Sequence, residues 1–252
     1  MKTIEFFGVP GVGKSYILDN NIDGLKINKN NFIRDKDFLA RIPIKENHKF
    51  LVEYIRWFFY RVLGHPQRHL LNDYGKVFVT ENQQLVKYFW SLLNYRLDGI
   101  YPIDTRMLLA SHFVRTFEKI ESIYNCNDYE YCYLDEGLIQ RMISLYSPRF
   151  DNDEINNYIS QVCSSKYKPH AIICCLADDD LIVSRIKGRK NRSGSHKGMT
   201  IKEIQEFTSE ASIFSEKIAD NLISEGIAVL KLDTSLSTKK INDNLSNFLN
   251  NI

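Results

Sequence analysis

Eight consecutive residues near the start of the chain, Gly8-Val9-Pro10-Gly11-Val12-Gly13-Lys14-Ser15, have the types and spacing needed to hold a row of phosphates. They match G-x-x-x-x-G-K-[ST] in full. Gly8, Gly11 and Gly13 let the backbone curl so that its N–H groups, that of Val12 among them, point inward. Side chains at the glycine positions would collide with phosphate oxygens there. Lys14 adds a mobile positive charge for the terminal phosphates, and the Ser15 hydroxyl suits a magnesium ion. The chemistry implied is binding of a nucleoside triphosphate with Mg2+.

Two further groups could act on that phosphate chain. Asp135-Glu136 follows the apolar run Tyr129 to Leu134. A carboxylate at the carboxyl end of a strand beside the first one lies next to the metal and the terminal phosphate. Asp135 is the first choice for metal binding and proton acceptance, and Glu136 the second. The other group is the basic segment Arg185-Ile186-Lys187-Gly188-Arg189-Lys190-Asn191-Arg192-Ser193-Gly194. Arginine forks match the charge that spreads over a phosphoryl group in flight, and a lid can deliver them while expelling water. Arg185 and Arg189 are therefore expected to act in catalysis and Arg192 in nucleotide binding, on a lid spanning 181–199.

These residues need a scaffold that brings them to one edge. Thr3 to Phe7 reads as a short strand before the glycine loop, with a helix opening at Lys14. Strand and helix patterns alternate again from 129 onward: Tyr129 to Leu134, a helix from about Leu138 to Leu145, and the apolar strand Ala171 to Leu176. Asp178, Asp179 and Asp180 are placed to cap a helix through Ile186. Thr200-x-x-Glu203 is a capping box for a helix reaching Leu222. Ile227 to Leu232 is the last strand and Ile241 to Phe248 the last helix. Gly24 to Asn28 is a weaker strand candidate. The class is α/β, a single domain over 1–252.

Residues 35–125 differ in texture. Apolar residues recur at helical spacing from Phe50 to Leu63, from Leu85 to Leu93 and from Met107 to Ile123, the last with Asp104 or Thr105 as cap. Lys76 to Thr80 fits strand or helix equally. The region is expected to be a mainly helical insertion that binds the acceptor. Glu53, Arg56, Trp57, Tyr95, Arg96 and Arg115 are left open between core and acceptor pocket.

Taken together, G-V-P-G-V-G-K-S at the start, L-D-E-G-L-I-Q-R at 134–141 and L-I-V-S-R-I-K-G-R-K-N-R at 181–192 resemble the thymidylate kinase and deoxynucleoside kinase branch of the P-loop kinases. L-D-T-S-L-S at 232–237 follows the last strand, where similar kinases wrap the adenine. The resemblance implies a parallel five-stranded sheet flanked by helices, ATP as donor, an acceptor beneath an arginine lid, and Asp135 near acceptor or metal. Those families follow this carboxylate with arginine. Here Glu136 and Gly137 stand there, and Arg141 is the candidate substitute.

The net charge of +2 is too small to argue for nucleic acid or an anionic membrane surface. Five cysteines without a C-x-x-C pair and six histidines without metal-ligand spacing point to no disulfide frame and no zinc site. A strand begins within two residues of the start, and the apolar runs fall short of the ~20 residues a membrane helix needs. A cytoplasmic location is expected. The expected activity is transfer of the ATP γ-phosphate to a hydroxyl or phosphate of a small molecule, a nucleoside or nucleotide or a sugar or glycan precursor, with a homodimer left open. The alternative is a P-loop ATPase or nucleotide-dependent switch acting on a macromolecular partner. A guanine-reading N-K-x-D is missing from the sequence.

Overall fold

A computed structural model describes residues 1–20, 32–39, 72–95, 103–144, 152–189 and 199–252. In chain order, β1 (Lys2–Phe7) runs through the glycine loop into α1 (Lys14–Asn20), and β2 is the short Phe32–Arg34. Among the described residues there follow α2 (Asn72–Glu81), α3 (Gln83–Tyr95) and α4 (Ile103–Tyr124). After β3 (Tyr131–Leu134) come α5 (Leu138–Ser144) and α6 (Asn152–Cys163), then β4 (Ala171–Leu176), α7 (Asp179–Lys187) and α8 (Ile201–Ser224). β5 (Ala228–Asp233) and α9 (Thr238–Leu249) end the chain.

The strands form one five-stranded parallel sheet in the order β2-β3-β1-β4-β5, flanked by helices. In β1, β3 and β4 nearly every residue is buried, whichever face it points to. Such strands belong to a sheet covered on both sides, which is why they read as unbroken apolar runs. The chain crosses from one side of β1 to the other between β3 and β4. Open parallel sheets bind ligands outside the carboxyl ends of their strands at such a reversal.

The chain divides into two compact units, Met1–Lys2 with Asn31–Leu134, and Thr3–Asn30 with Asp135–Ile252. In the first, β2 pairs with β3 in register Ile33 to Cys132, and Lys119 of α4 meets buried Asp35 at 2.7 Å. Its helices pack on aromatic rings: Phe78 stacks on Phe117 at 4.4 Å, and Phe89 meets Phe113 edge-on at 4.7 Å. The region expected as a helical insertion falls in this unit. Its Lys76 to Thr80 stretch is helical, part of α2. Only Phe78 of its apolar residues is buried, whereas Val77 and Val79 are 39% and 42% exposed, so the run has no strand neighbour to bury its second face. Helix α4 begins at Ile103, so the caps expected at Asp104 or Thr105 fall inside its first turn. The candidate strand at Gly24 to Asn28 and the helix at Phe50 to Leu63 lie outside the described residues.

In the second unit β1 pairs with β4, Ile4 opposite Ala171, and β4 with β5, Ala171 opposite Ala228. Asp178 caps α7 by accepting from the Asp180 N–H at 2.9 Å. Thr200 and Glu203 close the capping box of α8 in both directions. Helix α6, which the sequence analysis passed over, buries Ile155, Tyr158, Ile159 and Val162, one face at helical spacing. Among the described residues no helix is long and apolar enough to cross a membrane.

All five cysteines are free thiols. Burial pushes Cys175 up to about 12 and holds Cys132 and Cys174 well above the ordinary thiol range, while Cys126 and Cys163 are only half-buried. A raised thiol pKa leaves the unreactive protonated form in place at neutral pH. An aromatic disulfide reagent at pH 8 should therefore modify Cys126 first in the native protein, Cys163 more slowly because burial raises its pKa too, and the other three only after unfolding. Rapid native reaction of all five would contradict this packing.

Candidate active site

All of the residues gathered here belong to the second unit. Gly8, Gly11 and Gly13 adopt φ of 146°, 97° and 115°, values that side chains rarely tolerate. A Cβ on Gly8 would lie 2.5 Å from the Cys175 carbonyl oxygen, and one on Gly11 2.7 Å from Ile186 Cγ1. The loop is thus glycine-bound by conformation and by close approach to β4 and α7. The Ile17 N–H donates to the Gly13 carbonyl at 3.1 Å, so α1 opens directly off the loop. The Val12 N–H, expected to point inward, instead closes a turn on the Val9 carbonyl at 3.1 Å, so the first N–H groups and the dipole of α1 are what make the anion cradle.

Lys14 lies within that cradle, its Nζ donating to the Gly8 carbonyl at 2.9 Å. Burial lowers its pKa from the ordinary lysine value. Cys175, Asp135 and Glu136 act against the shift, and Arg189 acts with it. An ammonium with little water around it and carboxylates nearby is held ready for an anion that it can neutralise at close range.

Ser15 Oγ donates to Asp135 Oδ2 at 2.8 Å, and Asp135 Oδ1 is buried with no partner. The hydroxyl from the start of α1 and the carboxylate from the end of β3 are hard oxygens side by side. The orphaned carboxylate oxygen beside them fits a magnesium ion, which takes a few protein oxygens and completes its shell with water and phosphate. Among the described residues no group of three or more His, Cys, Asp or Glu could hold a metal by protein ligands alone.

The back of the loop is held from three directions. The Gly8 N–H donates to Gln140 Oε1 of α5 at 3.0 Å, and the Gln140 N–H donates to Glu5 Oε1 of β1 at 2.7 Å. A Cβ on Gly137 would collide with that Glu5 carboxylate, which explains glycine at this point of the β3–α5 turn. The Val12 carbonyl accepts from Arg185 Nη1 and from Thr234 Oγ1, both at 2.5 Å. Arg185 Nη2 also donates to the Thr234 carbonyl at 3.1 Å. Next to Thr234, Asp233 accepts from the Ser235 hydroxyl and N–H, and these bonds lower its pKa.

The expected site residues therefore fall into three groups. Gly8, Gly11, Val12, Gly13, Lys14, Ser15 and Asp135 come together. Arg185, expected on a lid, is bonded to the outer side of the phosphate loop and to the turn after β5. Arg189 is exposed at the end of α7, close enough to act on Lys14, and Arg192 lies outside the described residues. Glu5, Gln140 and Thr234 were not singled out from sequence. The only signal for Glu5 was a charged residue inside a strand whose neighbours are all apolar.

No protein-family model matches the sequence, and no curated protein matches it. Solved structures similar to the chain include three of deoxyadenosine kinase from M. mycoides. The one with bound dCTP has 15% identity and a TM-score of 0.48, over 99% of this chain and 100% of that one. The one with bound dATP has 14% identity and 0.43, with the same coverage. The one with the products dCMP and a flexible dCDP has 15% and 0.48, over 99% and 98%.

Two variants test how the loop is held. Arg185→Met removes charged hydrogen bonds worth about 1.5–3 kcal/mol of stability, so the melting temperature should fall by several degrees and nucleotide affinity, read by calorimetry, should fall as the loop loosens. Unchanged affinity would reduce these bonds to packing detail. Gly137→Ala should lose about 1–3 kcal/mol of stability by overpacking against Glu5, read by chemical denaturation.

Proposed function

We propose that the chain is an ATP-dependent phosphotransferase that moves the γ-phosphate to a hydroxyl or phosphate of a small molecule. One observation carries this: a glycine loop at positive φ, Lys14, and the Ser15–Asp135 pair stand together at the start of α1 and the end of β3. Loop amides and the α1 N-terminus bind the β-phosphate, and Lys14 neutralises charge on the terminal phosphates. Ser15 and Asp135 would hold magnesium, which when bound neutralises phosphate charge and orients the triphosphate. Arg189, with Arg192, is assigned to the charge that spreads over the phosphoryl group as it moves. Arg185 holds the Val12 carbonyl and so helps fix the shape of the loop.

Incubation with ATP, Mg2+ and a panel of nucleosides, nucleotides and sugars should yield ADP only when the right acceptor is present. Lys14→Ala should abolish turnover and weaken ATP binding with the circular dichroism unchanged. Asp135→Asn should keep ATP binding but lower kcat at least ~100-fold, the scale for removing a positioned charged group. ADP release that needs no small acceptor and rises with a macromolecular partner would instead identify an ATPase.

A further inference from the structure

Directly after Asp135 stands a second charged pair, Glu136 with Arg141. Glu136 follows Asp135, and its side chain is 53% exposed. Arg141, on α5, has only 8% of its side chain exposed, and its Nη2 donates to Glu136 Oε2 at 2.5 Å. Burying a guanidinium is unfavourable unless a fixed anion meets it, and arginine does not discharge to escape that cost. The pairing holds one oxygen of the Glu136 carboxylate from within, while half of the side chain stays open to solvent. Asp135 is differently committed: Oδ2 is on Ser15 and Oδ1 is buried. A carboxylate turned into the cradle is poorly placed to meet an acceptor arriving from water. Glu136, the next residue, is reachable from solvent.

We propose that Glu136, held by Arg141, meets the acceptor, and that the pair selects an uncharged hydroxyl over a phosphate monoester. This rests on the phosphotransfer function above. Glu136 accepts the hydrogen bond of the acceptor hydroxyl. As the acceptor oxygen bonds to the γ-phosphorus, the bond from that phosphorus to the β–γ bridging oxygen breaks and its electron pair leaves on ADP. The hydroxyl proton passes to the Glu136 carboxylate and on to water. Arg141 is a positioning residue, fixing the carboxylate without touching the acceptor. Selection follows from charge. A site for a phosphate acceptor presents an arginine fork to it. Here that fork is already engaged by Glu136, so an incoming phosphate dianion would meet the half-exposed carboxylate rather than a fork.

The test is steady-state kinetics with ATP and Mg2+ on the common deoxynucleosides and on glucose, each beside its own phosphate monoester, with ATP affinity measured by calorimetry. The wild type should favour the free hydroxyl at least about tenfold in kcat/KM, since like charges at close range discriminate strongly. Glu136→Gln should lower kcat on that acceptor ~100-fold or more, leave ATP affinity unchanged, and narrow the preference by releasing Arg141. Glu136→Asp should restore part of kcat, which a merely structural role would not require. Wild-type preference for the monoesters, or an unaltered kcat in Glu136→Gln, overturns the proposal and leaves phosphotransfer standing. No ADP with any acceptor despite normal ATP binding overturns both.

Discussion

A loop that turns its N–H groups toward a phosphate must turn its carbonyls the other way, and those carbonyls still need donors. The curl of residues 8–15 is held in part by its own bonds, the Val12 N–H on the Val9 carbonyl and Lys14 on the Gly8 carbonyl, and in part by donors from elsewhere in the chain. Glycines at positive φ permit the shape, but permission also makes the unfolded loop more flexible and its ordering more costly. The Val12 carbonyl takes Arg185 and Thr234, the Gly8 carbonyl takes Lys14, and the Gly8 N–H is held by Gln140. Three of those partners come from α5, α7 and the turn after β5, between 132 and 222 residues away along the chain. Much of the second unit is tied to the loop through these few buried bonds.

The same connections divide what was legible in the sequence from what was not. The phosphate loop was legible because its chemistry is local, eight residues whose types and spacing serve one purpose. Asp135 was legible because an apolar strand ends on it, and the strand direction puts it at the ligand-binding edge. The capping residues Asp178 and Thr200 were legible for the same reason, since a cap and its helix are neighbours in sequence. Arg185 was legible as a cation but not in its placement. Ile182 and Ile186 of the same helix approach Gly11, and that packed face brings Arg185 to the back of the loop rather than over its mouth. Nothing in a charged segment announces which of its members shares a face with buried isoleucines across a glycine. Gln140 and Glu5 are still harder to read. Polar residues in an apolar context gain meaning only from a partner, and theirs are distant.

Three carboxylates of the second unit show how far environment separates identical chemistry. Glu5 is 2% exposed in the middle of β1 and accepts from a backbone N–H near the start of α5, so its role is to seat that helix. Asp135 points one oxygen at Ser15 and buries the other, an arrangement suited to a cation shared with the phosphates. Glu136 is half open to water and braced by a buried guanidinium. The glycine after it links the three. Because Glu5 occupies the space a Cβ at residue 137 would need, the turn after β3 can carry no side chain there. Arg141 comes from within α5 and is set against Glu136, which leaves the turn with a braced carboxylate half open to solvent. The steric constraint acts one residue further on: with no side chain at 137, the chain passes over the Glu5 carboxylate into α5, and that carboxylate accepts from the Gln140 N–H.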